Sequence, residues 1–397
     1  MVVCRLIKIG IRFTSEKQQA LLRGDTSGAV IHPFFISAAQ SLGMHFCEGM
    51  GNLPAMIRLQ AKYLQTCLEL LADIFKGHDW ELRAQAVLWA VVGSVISWQS
   101  HLTTLYVKKS CEAVNTAKLQ FVPTYGRPPA FSEDLHEKFC VLSQVIYFEN
   151  FSFLACGGAE PSMTARIEKE FRHRLHEVYP ILFRICPLAM RTQSILLVRD
   201  TVVVLSLRPT EEVQLEFWRR SCDHLVTDLD NYSQSLLFNL RRFQELGDKS
   251  GSGSIRRSCV GCLAHLAVLC ETLCQMGPTK AELDNLCISA LERLTELTEG
   301  MHTEEYTRLD LLLGLSWKKA LGVFDARITN DTLERGTNFR HWRKTVAEVY
   351  SDFVAKLPGA ESPILSSRAR QLDGRTEGSR YPNMMLPWVR QRYGLGL

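Results

Sequence analysis

The sequence lacks the motifs that mark the common classes of enzyme. It contains no phosphate-binding loop, no G-x-S-x-G nucleophile motif and no H-E-x-x-H zinc motif. Gly157 and Gly158 precede Ala-Glu-Pro, which predicts a turn before a helix rather than a phosphate-binding loop. We therefore predict that the protein is not an enzyme, and we assign it no catalytic residue, no cofactor and no metal ligand.

Patterns typical of β-strands are nearly absent. Thr201–Leu205 is β-branched, but it lies in a longer apolar stretch without alternation, as in a buried helix. Elsewhere apolar residues recur at helical spacing, for example between Pro54 and Gly77. Pro54 predicts the start of that helix and Gly77 its end, and Asp79 predicts the cap of the next helix. The sequence thus predicts an all-α fold, a multi-helix bundle of antiparallel amphipathic helices without significant sheet.

Excess charge of one sign is confined to the C-terminus. The net charge is +4, and residues 366–397 account for it with six arginines against Asp373 and Glu377. A neutral body argues against a broad nucleic-acid-binding face. Tyr381–Leu397 adds Met, Trp and Tyr residues to the basic tail. This segment either docks on the body or a partner, or remains a solvated tail.

The chain also lacks a long uninterrupted apolar segment. Its longest uncharged run, Ala84–Tyr106, has the length of a membrane span but contains eight Gln, Ser, His and Thr residues. We therefore predict a buried core helix there and no membrane partner.

Thirteen cysteines occur without a secretory signal, and most of them sit in apolar runs. Examples are Cys67, Cys140, Cys156, Cys186 and Cys270. This usage is typical of buried free thiols in a reducing compartment, the cytosol or the nucleus.

Four cysteines resemble the start of a zinc module: Cys259, Cys262, Cys270 and Cys274. The neighbouring leucines predict that this stretch is helical, and the outer two thiols would then lie about 22 Å apart along the helix axis. One metal ion cannot bind both. We predict a buried apolar stripe instead of a zinc site.

Two further patterns have metal-binding and structural interpretations. Glu133-x-x-His136 and Glu170-x-x-His173 have the spacing of a di-metal site in helix bundles, although a solvated helix face explains them more simply. Asp228–Asn231 resembles one acidic magnesium motif, but no second motif accompanies it, so surface charge is the favoured interpretation.

The composition predicts five segments. We expect a poorly ordered N-terminal segment at 1–30, the first half of a helical domain at 31–246, and a flexible loop at 247–254. The second helical half, at 255–357, is expected to pack on the first, and a basic, largely disordered tail to occupy 358–397.

Three segments resemble the fungal-specific transcription factor domain, the helical regulatory region of Zn2Cys6-type regulators. They are HPFFISAAQSLGMHF at 32–46, YFENFSFLACGGAEP at 147–161 and YPILFRICPLAMRTQSILLVRD at 179–200. The resemblance covers roughly residues 30–355. It implies an all-α fold, a nuclear location and a role in transcription regulation.

The chain departs from that family because its start has no CxxCx6C cluster, basic linker or coiled coil. It is similar to finger-less members that regulate secondary-metabolite clusters in filamentous fungi, such as trichothecene and other mycotoxin clusters. The resemblance implies that the protein contacts other proteins, namely a DNA-binding regulator or the transcription machinery, and reaches DNA only through them. It also allows a homodimer. Alternatives are a helical metal-dependent enzyme and a helical scaffold protein.

Overall fold

The computed structural model describes most of the helical body of the chain. The described residues are 13–45, 62, 66–67, 69–96, 100–116, 133–156, 161, 163–165, 167–168, 186–276, 281–299, 301, 311–330 and 335–355. These residues form helices and turns and contain no β-strand. The predicted all-α, multi-helix fold is confirmed.

We number the main helices of the described part in chain order. They are α1 (Ser15–Arg23), α2 (Pro33–His45), α3 (Trp80–Ile96), α4 (Ser100–Thr116), α5 (Glu133–Cys156), α6 (Pro187–Ser206), α7 (Glu212–Glu245), α8 (Lys249–Cys274), α9 (Ala281–Glu299), α10 (Leu311–Asn330) and α11 (Arg335–Ala355). The chain forms two compact units. The first comprises residues 1–152 and 163–189, and the second comprises 153–162 and 190–397.

In the first unit, α3 packs along α4 and also contacts α2. The side chains of Phe13, Phe35 and Trp89 meet in this core, with ring centroids of Phe13 and Phe35 5.1 Å apart and those of Phe35 and Trp89 5.7 Å apart. Residues 84–92 of α3 are buried apart from Ala90. The prediction of a buried core helix is therefore confirmed for this part of the long uncharged run.

Helix α1 shows that the prediction of a poorly ordered segment at 1–30 is wrong for residues 13–30. The Thr14 hydroxyl accepts a hydrogen bond from the Lys17 amide, and Gly24 closes the helix with φ of 68°. Thr14 also donates its backbone N–H to the carboxylate of Glu137 on α5, at 3.0 Å. Capping at both ends and this tertiary anchor hold a short helix that would be marginal in isolation. Residues 1–12 lie outside the described part.

In the second unit, α8 is the central helix and packs against α7, α9 and α10. Its stretch Gly251–Cys274 is long and apolar enough to cross a membrane by length and composition. Two thirds of its most apolar window, 67%, is buried inside the protein, which is typical of a core helix. The large side chains of Trp218 and Trp317 are fully buried in the same unit.

The predicted flexible loop at 247–254 is wrong. Gly247, with φ of 68°, and Asp248 make a tight turn, and α8 begins at Lys249. The Asp248 carboxylate accepts a hydrogen bond from the Gly251 amide at 2.9 Å and caps the helix. A Cβ at Gly251 would lie 2.5 Å from the Phe243 ring, so the small residue lets the first turn of α8 lie against α7. Packing outweighs the low helix propensity of the Gly/Ser run.

The expected halves 31–246 and 255–357 consequently do not match the observed division, because α7 and α8 both lie in the second unit. The basic tail at 358–397 lies outside the described residues. One local prediction is confirmed: Asp79 accepts from the amides of Glu81 and Leu82 at 3.0 and 3.1 Å. Pro187 is the first residue of α6. Thr201–Leu205 is helical, within α6.

Candidate functional site

The first half of the site comes from the beginning of α5. His136 and Cys140 are four residues apart, so they lie one above the other on the same helix face. The helix is anchored at this level because Glu137 accepts from Lys17 Nζ at 2.8 Å and from Gln85 Nε2 at 2.6 Å. The backbone that carries His136 and Cys140 is thereby fixed to α1 and α3.

The second half of the site is Cys186, which directly precedes Pro187, the first residue of α6. The Cys186 carbonyl accepts a hydrogen bond from the Ala189 amide at 3.0 Å, so this residue closes the first turn of the helix. A helix start carries partial positive charge, which favours a negatively charged thiolate. The position suits an ionised sulfur.

These three side chains form the His136–Cys140–Cys186 cluster, which lies wholly in the first unit. The two Sγ atoms are 3.9 Å apart, and the potential ligand atoms of all three residues lie within 4.8 Å of one another. Cys140 and Cys186 are each 1% exposed, while His136 is half-buried. Among the described residues, this is the one group of three or more His, Cys, Asp or Glu side chains that is close enough to hold a metal ion.

The electrostatics of the cluster favour a thiolate. The hydrogen bond from Cys140 lowers the pKa of Cys186 well below its usual value, burial opposes that change, and His136 adds a further hydrogen bond and favourable charge. A thiolate beside an imidazole is both a metal ligand and a nucleophile. The sulfur atoms are much farther apart than the roughly 2.05 Å of a disulfide bond, so both cysteines are reduced.

The cysteines of α8 behave differently. Cys259, Cys262 and Cys270 are fully buried and Cys274 is half-buried. Burial raises the pKa of Cys262 to about 12, against a smaller lowering effect of the hydrogen bond with Ser194, and burial also raises the pKa of Cys259 and Cys270. The predicted apolar stripe is confirmed for these buried side chains.

The other predicted patterns do not converge on one place. Glu133 turns to α1, where its carboxylate accepts from the Ser15 amide at 2.8 Å and the Ser15 hydroxyl at 2.7 Å, whereas His136 belongs to the cluster. Glu170 and His173 lie outside the described residues. The segment Asp228–Asn231 lies on α7 with its polar residues partly or fully exposed, and Asp230 accepts from Gln234 on the same helix. Gly157, Gly158 and the tail segment Tyr381–Leu397 also lie outside the described part.

Sequence reasoning missed the cluster although it named two of its thiols as buried cysteines. The His-x-x-x-Cys spacing on α5 was a local signal, because it places both side chains on one face. Cys186, which completes the cluster, is 46 residues from Cys140. No local pattern could pair them.

Comparison with known proteins adds no relative to this description. No known protein family, curated protein or solved structure matches the chain.

Proposed function

We propose that the protein is a transcriptional regulator of a fungal pathway, acting in the nucleus through protein contacts and without a zinc finger of its own. Its targets are the genes of a secondary-metabolite cluster, with mycotoxin biosynthesis as the expected pathway. It is not an enzyme; it binds a DNA-binding regulator or the transcription machinery and reaches DNA through that partner, with self-association as an alternative.

One observation carries the proposal: the described residues of the segments that resemble the fungal regulatory domain lie mostly in buried helices. The first forms α2, whose Phe34 and Phe35 are each 2% exposed. The second ends α5, where Phe151 is 1% exposed, and the third contains most of α6, where Leu196 is fully buried. The resemblance therefore lies in residues of a helical core, and proteins that share a fold resemble one another most in the sequence pattern of their buried apolar residues.

The metal-enzyme alternative receives less support. It requires Glu133, His136, Glu170 and His173 around one or two ions, but the Glu133 carboxylate is held by Ser15 of α1. The scaffold alternative has no observation in its favour.

Transcript profiling of a gene deletion strain tests the proposal. We expect the transcripts of one co-located set of biosynthetic genes to fall, and to recover when the intact gene is restored. A tagged copy should accumulate in nuclei and associate with the promoters of those genes only while its DNA-binding partner is present. No change in any co-located gene set, or exclusion of the tagged protein from nuclei, would overturn the proposal.

A further inference from the structure

We propose that His136, Cys140 and Cys186 bind one thiophilic metal ion, with Zn²⁺ the best match. This inference is independent of the proposed function, because it concerns a metal ion bound by the folded chain and not the genes that the protein regulates. It rests on the distances, burial and origin of the three side chains.

The spacing of the sulfur atoms fits a shared metal ion. Two thiolates that each bind Zn²⁺ at about 2.3 Å in tetrahedral geometry lie about 3.8 Å apart. The observed Sγ–Sγ distance between Cys140 and Cys186 is 3.9 Å. The imidazole nitrogen of His136 lies within 4.8 Å of both sulfur atoms, so the three side chains offer a Cys2His ligand set. The ligands are therefore already assembled.

Burial and charge favour a divalent ion. Cys140 and Cys186 are each 1% exposed, and a thiolate in a buried place requires a nearby positive charge. A divalent cation bound by two thiolates and a neutral imidazole gives a neutral centre, whereas Cu⁺ would leave one negative charge.

The three ligands come from two parts of the first unit. His136 and Cys140 lie on α5, and Cys186 lies at the start of α6. A metal ion would thus link residues that are 46 positions apart. Structural zinc sites usually have four protein ligands, and the described residues supply three of them.

Metal analysis of the purified full-length chain tests the proposal. After incubation with Zn²⁺ under reducing conditions and dialysis, we expect about one ion per chain by elemental analysis. The variants Cys140→Ser, Cys186→Ser and His136→Asn should each fall to background. Cys111→Ser, which changes a buried thiol of the same unit outside the cluster, should retain the ion. Circular dichroism would show that each variant is folded.

A second measurement needs no variant and so remains decisive if a substitution prevents folding. Zn²⁺ should slow alkylation of Cys140 and Cys186 at least tenfold, as read by mass spectrometry, and leave Cys259 unchanged. Replacement by Co²⁺ should give sulfur-to-cobalt charge-transfer and tetrahedral ligand-field absorption. Preferential retention of Cu⁺ over Zn²⁺ would support a thiophilic site but overturn the assignment to zinc. No bound metal, equal loss in Cys111→Ser, or no protection of the two thiols would overturn the proposal.

Discussion

Two sets of buried cysteines in this protein have opposite properties. In the first unit, Cys140 and Cys186 face each other beside His136, and the Cys140 hydrogen bond lowers the pKa of Cys186. In the second unit, Cys259 and Cys262 are fully buried, and burial raises the pKa of both. Burial alone makes cysteine a small apolar residue, whereas a second thiol and an imidazole in the same buried place favour its thiolate form.

The origin of the two sets explains the difference. The α8 cysteines lie on one helix, where the rise per residue spreads thiols along the axis. Cys140 and Cys186 come from separate segments that the fold brings together. Side chains from two distant segments that meet in the fold can form a ligand site, whereas cysteines repeated along one helix form part of a packing surface. The predictions below test this contrast, from the largest expected effect to the smallest.

A charged residue in the α8 stripe should destabilise the protein most. Cys259→Asp is expected to lower the free energy of unfolding by about 4 kcal/mol or more, because it buries a carboxylate among apolar side chains. Denaturant titration measures the loss. Cys259→Ala is the matched control and should cost about 1 to 2 kcal/mol, from the smaller volume. Similar stability of the two variants would contradict the apolar assignment.

A pH dependence should arise from the same helix. Burial lowers the pKa of His265 to about 4, with a smaller opposing effect of its hydrogen bond to the Gly261 carbonyl and a further lowering by Lys319. The folded pKa lies below the unfolded value of about 6.5. Stability from neutral His265 is therefore fully present above pH 6.5 and is lost as the pH falls towards 4, by about 3 kcal/mol.

Denaturant titrations at several pH values between 7 and 4 check this expectation. His265→Gln keeps a donor near the Gly261 carbonyl but cannot titrate, so its loss of stability on acidification should be about 3 kcal/mol smaller than that of the unaltered protein. An unchanged pH profile in this variant would show that His265 is not buried in its neutral form.

Metal binding should stabilise the first unit and leave the α8 stripe unaffected. Free Zn²⁺ at about a hundred times its dissociation constant should raise the free energy of unfolding by about 2.7 kcal/mol. The effect should vanish in Cys186→Ser and persist in Cys262→Ser, as measured by denaturant titration with and without a chelator. Equal stabilisation of both variants would place the ion elsewhere.

The smallest effect should separate two serine substitutions in metal-free protein. Cys140→Ser is expected to cost less than about 1 kcal/mol, because Cys186 offers its hydroxyl a polar partner. Cys259→Ser should cost about 1 kcal/mol more, since the thiol of Cys259 donates only a long hydrogen bond, 4.0 Å, to the Ser233 carbonyl, and a hydroxyl at that distance would be poorly satisfied. Thermal or denaturant unfolding of the two variants gives the comparison, and the reverse order would contradict it.

Much of the helical architecture was predictable from local patterns. Asp79 marked a helix start through its own side chain, and the apolar run in α3 indicated its burial. Residues 249–254 were not predictable in this way. Their Gly/Ser composition favours a loop, but the Asp248 cap and the close packing of Gly251 on Phe243 make the segment helical.

By itself the sequence determined that this chain is helical, because helix periodicity and caps depend on residues within a few positions of one another. It also placed the α8 cysteines on a single helix flank, where the outer two thiols are too far apart along the axis to bind the same ion. Only the tertiary structure decided which cysteine meets a partner. Cys186 reaches His136 and Cys140 through the packing of distant segments, and contacts at that separation have no local signature in a single sequence.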